Sequence, residues 1–184
     1  MRTNLIFVRH AHSLYTPEEL TRPLSEQGLK DAGKVTEPLR TVTVDHVISS
    51  PYQRAYQTVQ GIAEHHAKEI EVRDEFKERT LSARPVDDFH GAMERVWSDV
   101  HYSFEGGESN TFAQLRGAEA TLRILYEYKG KTVVIGTHGN LMVLIMNYFD
   151  PKYDFDFWKR LGVPDIYRLT FEGTELKEAV RLWK

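Results

Sequence analysis

The strongest constraint on the fold is a short apolar run flanked by polar sequence. Leu5-Ile6-Phe7-Val8 is apolar at every position, as expected of a strand buried on both faces. Val133-Val134-Ile135 repeats the pattern, His46-Val47-Ile48 is a shorter copy and Ile70-Glu71-Val72 a weak one. Such strands need helices on both sides, so the pattern predicts an α/β fold with a mostly parallel sheet. Ile166 to Phe171 alternates in period two. With a turn at Gly173 and another strand near Leu176, it predicts a hairpin at a sheet edge.

Helix-period stretches fill the gaps. Ser25 is placed to cap a helix whose face carries Leu29, Ala32, Val35 and Leu39. Tyr52, Ala55, Tyr56, Val59, Ile62 and Ala63 follow helical spacing, as do Phe112, Leu115, Leu122 and Leu125, with Thr111 to Gln114 reading as a capping box. Leu141 to Phe149 predicts one more helix, stopped before Pro151. The segment from about 77 to 108 breaks this rhythm. It holds one amphipathic stretch (Val86, Phe89, Met93, Val96, Trp97, Val100) and the pair Gly106-Gly107. It reads either as a lid-like insertion over one end of the sheet or as an ordinary extra core helix.

At 184 residues the chain has the size of one domain, spanning 1–184. Its 24 Lys and Arg against 27 Asp and Glu give a net charge of −3, which advertises no nucleic-acid surface. It has no cysteine, which excludes disulfides, thiolate metal sites and a cysteine nucleophile. No run approaches the roughly 20 apolar residues of a membrane span. The start of the sequence holds too short an apolar run for a signal peptide, so a cytoplasmic location is the expectation.

Three polar clusters fall directly after strands, where parallel α/β sheets place their ligands. Arg9-His10 follows the first strand and His138-Gly139 follows the Val133 strand. Ser49-Ser50-Pro51 follows the His46 strand, with Arg54 in the next helical turn. Single histidines are usually structural. Two histidines and two arginines at three strand ends suit a phosphate group. Arginine supplies a charged planar fork, and helix starts after Pro51 and Gly139 add N–H groups. One imidazole can attack phosphorus and the other can donate to its oxygens. A general acid must then protonate the leaving alkoxide.

These residues resemble the histidine phosphatase superfamily, also called phosphoglycerate mutase-like. Phe7-Val8-Arg9-His10-Ala11-His12-Ser13 is similar to its Arg-His-Gly signature, and Pro23-Leu24-Ser25-Glu26-Gln27-Gly28 to its Leu-Thr/Ser-x-x-Gly segment. Ser49-Ser50-Pro51, Arg54-Ala55 and Gln57-Thr58 resemble the second signature, and Gly136-Thr137-His138-Gly139 the second histidine. Phe76-Lys77-Glu78 sits where the family carries its acid, and Gly107-Glu108-Ser109 resembles a common element. The resemblance spans nearly the whole chain. It implies a three-layer α/β/α sandwich with a mostly parallel central sheet. It implies His10 as the nucleophile that becomes phosphohistidine and Arg9, Arg54 and His138 as holders of the phosphoryl oxygens. Glu78 would be the proton donor and then the base. Thr16 falls where many members carry a phosphate-touching asparagine. Gly139 completes the phosphate-binding set. No metal and no cofactor are implied.

Several positions depart from the family pattern. Ala11 replaces a glycine, which would strain a left-handed backbone if one were needed. His12 and Ser13 replace Glu-Thr/Ser, and with Arg79 they are candidate substrate contacts. The residues that normally follow the acid are absent after Glu78, which leaves Glu75 or Asp74 as other possible acids. The expected activity is hydrolysis of a small soluble phosphomonoester, releasing inorganic phosphate, with no nucleic-acid or membrane partner. The pattern carries no oligomeric state. Alternatives are a mutase-type phosphotransferase, a phosphate-binding module without turnover, and a metal-dependent hydrolase using His10-x-His12. The short segment 77–108 and the compact end at Trp183-Lys184 favour hydrolysis over the mutase, which needs a closing lid. Arg9 beside the histidine pair is awkward for a cation.

Overall fold

A computed structural model describes residues 1–184. Its six strands are β1 (Arg2–Arg9), β2 (His46–Ser49), β3 (Ile70–Val72), β4 (Thr132–Thr137), β5 (Asp165–Glu172) and β6 (Glu175–Arg181). They form one sheet in the order β3-β2-β4-β1-β5-β6. The first four neighbours pair in parallel. β5 runs antiparallel to β1, and β6 returns beside it as the expected edge hairpin.

Alternation along β1 splits the core into two layers. Leu5 and Phe7 join Val133 and Ile135 on one face. Packed there are α4 (Asn110–Glu127) and α5 (Gly139–Phe149), through Ala120, Ile124, Leu141 and Ile145. Ile6 and Val8 join Val47 and Val134 on the other face. There α1 (Glu26–Val35) and α2 (Gln53–His65) contribute Val35, Val59 and Ile62. Leu5, Ile6, Phe7 and Val8 are all fully buried, each contributing about 1.5–3 kcal/mol relative to exposure. This is the three-layer α/β/α sandwich. None of its helices is long and apolar enough to cross a membrane.

Some helical faces differ from the sequence expectation. Ser25 caps α1, accepting from Gly28 N, but Leu29 is exposed, and the buried face is Gly28, Ala32 and Val35. Leu39 is buried from a separate 3-10 turn, Glu37–Leu39. In α2, Tyr56 is exposed. The cap of α4 is Ser109 rather than Thr111, and Phe112 and Leu115 face outward. The reason is the closeness of α4 to α5: a Cβ on Gly117 would lie 2.7 Å from Ile145 Cγ1. Small residues such as Ala113, Gly117 and Ala120 therefore make the contact, and the bulky ones are left outside.

The segment 77–108 carries α3 (Phe89–Ser98), which buries Ala92, Met93 and Val96 and leaves Phe89 exposed. A short helix α6 (Phe155–Arg160), capped by Asp154, was not anticipated; six residues are too few to show a period.

Candidate active site

The parallel register sets the geometry. Arg9 pairs with Thr137, and His10 N donates to Thr137 O at 3.0 Å. The residues just past β1 and β4 therefore meet, with the His10 and His138 rings 5.1 Å apart, edge to face. From β2, Ser50 N donates to Gly136 O at 2.8 Å, which brings Ser50, Tyr52 and Arg54 to the same edge.

His10 is held in one orientation. Its Nδ1 lies 2.7 Å from Ala11 O, so the ring proton sits on Nδ1 and the Nε2 lone pair is left to accept. Arg54 Nε donates to that Nε2 at 3.3 Å. The next residue, Ala11, is fully buried and donates its N–H to Thr58 Oγ1 at 3.0 Å. Ala67 alone among non-glycine residues has a positive φ. Alanine therefore replaces the family glycine at position 11 without backbone strain.

His138 is fully buried. Ser50 Oγ accepts from Tyr52 N and lies 2.8 Å from His138 Nε2. The other ring nitrogen, Nδ1, has no protein partner. Arg9 Nη1 donates to Leu161 O and Gly162 O, and its Nε has no partner. A Cβ on Gly139 would lie 2.7 Å from Arg9 Cζ, so the guanidinium packs directly on the start of α5.

Burial pushes the His10 imidazole down to about 3; the charges of Arg54, Arg9 and Arg22 push the same way, against the Ala11 carbonyl. Burial also drives His138 well below the ordinary histidine value, helped by His10, Arg54 and Arg9. Both rings are neutral at neutral pH.

The three candidate acids separate clearly. Asp74 pairs with Lys77, and Glu75 pairs with Arg123. Glu78 instead accepts from Asn140 N at 3.0 Å and Leu141 N at 2.9 Å, across the first turn of α5. It also acts electrostatically on Arg9 and on Tyr52, which places it at the cleft. Its loop is fixed from behind. Arg116 donates to Glu75 O and Lys77 O while pairing with Glu108, and Thr137 Oγ1 donates to Phe76 O. The expectation that the α5 N–H groups serve phosphate needs correcting: two of them are taken by Glu78.

The remaining candidates each have their own neighbours in the fold. His12 is exposed, with Nδ1 2.8 Å from Ser25 Oγ, so it supports the α1 cap. Ser13 forms a bridge with Leu24. Thr16 turns its hydroxyl onto Glu18 O within its own loop. No group of three or more His, Asp or Glu side chains is placed to hold a metal ion. Arg79 is buried, with Nε and Nη1 unpartnered and Nη2 3.0 Å from Met93 Sδ.

The sequence reading missed four neighbours of the site. Ser50 orients His138, and Tyr52 packs 5.1 Å from its ring with Arg54 Cζ 4.8 Å over Tyr52. Both lie in the quoted second motif, but only its arginine looked chemical. Glu19 Oε2 accepts from Arg54 Nη2 at 2.8 Å and also pairs with Arg22. Its carboxylate shares the Arg54 edge that faces His10. No spacing signal marks Glu19 or Arg22 in an irregular loop.

The histidine phosphatase superfamily (branch 1) profile matches residues 5–184. The chain belongs to that superfamily. A curated relative, phosphoglycerate mutase-like protein 4 of Arabidopsis thaliana, is 28% identical over 158 residues, covering 75% of this chain and 67% of that one. The mycobacterial glucosyl-3-phosphoglycerate phosphatase structure superposes with a TM-score of 0.79 at 20% identity, over 98% of this chain and 97% of the other. A phosphoserine phosphatase of Entamoeba histolytica, solved with phosphoserine, also gives 0.79, at 21% identity over 97% and 94%. These superfamily structures share the fold.

A folded value of about 3 against 6.5 for the unfolded chain means that unfolding takes up a proton at His10 between these limits. Stability is therefore lost as pH falls from 6.5 toward 3, by up to about 1.4 kcal/mol per unit. Urea unfolding at pH 6.5 and pH 5 is expected to show a wild-type loss about 2 kcal/mol larger than in His10→Gln. Equal losses would mean that His10 titrates normally in the fold.

Proposed function

We propose that the protein is a metal-independent phosphomonoester hydrolase acting on a small phosphorylated metabolite through a phosphohistidine on His10. The observation that carries this is the His10 ring, with its proton held on the Ala11 carbonyl and its Nε2 facing Arg54. A neutral imidazole whose Nε2 lone pair is engaged only by a long hydrogen bond from Arg54, set among guanidinium groups, is the arrangement a phosphoryl acceptor needs.

In this reading Arg9, Arg54 and His138 hold the nonbridging oxygens. The Nε2 lone pair attacks phosphorus, and the P–O ester bond breaks. Glu78 gives its proton to the leaving alkoxide. Water then attacks phosphorus, Glu78 takes its proton, and inorganic phosphate leaves with His10 restored. Gly139 acts through its missing Cβ, which gives Arg9 its place.

The chain acts as one domain, 1–184, with the segment 77–108 covering the substrate end of the cleft. Arg79 recognises a second acidic group there. A buried guanidinium without a carboxylate partner is costly, and a ligand carboxylate would supply that partner. Phosphoserine, bound in the Entamoeba neighbour, has the right chemistry: a phosphate and a carboxylate on a small frame.

Hydrolysis of p-nitrophenyl phosphate by wild type is expected to survive EDTA. His10→Ala is expected to lose at least about a thousandfold in kcat. Loss of wild-type turnover with EDTA, or activity surviving in His10→Ala, would contradict the reading. Arg79→Met is expected to lower kcat/KM for phosphoserine about tenfold or more, the worth of a charged hydrogen bond, and to leave p-nitrophenyl phosphate nearly unchanged. Equal losses on both substrates would assign Arg79 to structure.

A further inference from the structure

Arg9 is held by two carbonyls, and those carbonyls are themselves held. Nη1 donates to Leu161 O at 3.0 Å and Gly162 O at 3.1 Å. Both belong to the turn that enters β5. The fully buried Asp165 carboxylate clasps this turn, accepting from Gly162 N at 2.6 Å and Ile166 N at 3.0 Å. Arg181, on the outermost strand β6, closes the set with two bonds to Asp165, at 2.8 and 3.1 Å. Asp165 is also the sheet partner of Arg9.

We infer that Asp165 and Arg181 are positioning residues for the phosphate site, acting through the 161–162 turn on Arg9. The inference rests on the proposed role of Arg9 as a phosphate ligand. A carboxylate at zero exposure needs a counter-charge, and Arg181 is its guanidinium partner. Without that partner the carboxylate loses the two bonds that fix its orientation. That loosens its grip on Gly162 N, and so on the two carbonyls that aim Arg9.

The turn is built for this contact. A Cβ on Gly162 would lie 2.8 Å from Pro164 O, 3.0 Å from Asp165 Oδ2 and 3.1 Å from Arg181 Nη2. Only glycine lets the carboxylate and guanidinium close over the turn. Arg181 itself is a suitable handle, because its side chain is 46% exposed and no other carboxylate pairs with it. Its loss leaves no cavity in the core.

The test is calorimetric titration of inorganic phosphate into wild type, Arg181→Gln, Arg181→Lys and Arg9→Ala, with a thermal melt of each. Binding of phosphate is read without turnover. Arg181→Gln is expected to weaken phosphate about tenfold, the usual scale for losing a group that orients a ligand-binding side chain. Its KM for p-nitrophenyl phosphate should rise in parallel while kcat changes less. Arg181→Lys, which keeps the charge, should recover most of the affinity.

Wild-type affinity in Arg181→Gln, with Arg9→Ala weakened, would overturn the positioning role and leave the phosphate site standing. Wild-type affinity in Arg9→Ala would overturn both. A lower melting temperature in Arg181→Gln with unchanged phosphate affinity would reduce the pair to a structural clasp and also overturn the inference.

Discussion

The parallel pairing of β1 with β4 is the interaction on which the site depends. It sets Arg9 opposite Thr137 and joins His10 N to Thr137 O. Two histidines distant in the chain then stand ring to ring. A slip of one residue would send Leu5 and Phe7 to the opposite layer and carry His10 away from His138. The burial of Leu5 to Val8 on both faces forbids that slip, because every position has packed neighbours. Core packing and catalytic geometry are thus one constraint.

Arg9, Arg54 and Arg22 bring positive charge to a pocket whose two histidines are kept neutral by burial and by those same charges. The free pocket is balanced partly from within: Glu19 sits against Arg54 and Arg22. Arg9 Nε and His138 Nδ1 are left without a protein partner. Glu78 is held by the first turn of α5, in a loop braced by Arg116.

The strands and the edge hairpin were legible in the sequence, and so was the meeting of Arg9, His10, Arg54 and His138 at adjoining strand ends. Each follows a short apolar run whose length and character specify a strand, and strand ends specify a site. Legibility failed where the determinant was nonlocal. Gly117 against Ile145 decides which side of α4 is buried, and no property of α4 alone reveals it. Thr16 turns its hydroxyl onto Glu18 O, and the same irregular loop brings Glu19 to Arg54, which no spacing in the sequence marks. His12 has the chemistry of a ligand but is spent on a helix cap. Asp165 lies within a strand, and its partners appear only after β6 folds back beside β5.

The central claim is that His10 Nε2 receives the phosphoryl group. Rapid mixing with a slowly turned-over phosphomonoester, quenching in base and mapping of the phosphorylated peptide test it directly. The account predicts one acid-labile, base-stable phosphoryl group on His10, absent from His10→Ala. A phosphoryl group on any other side chain, or the same yield from His10→Ala, would contradict it.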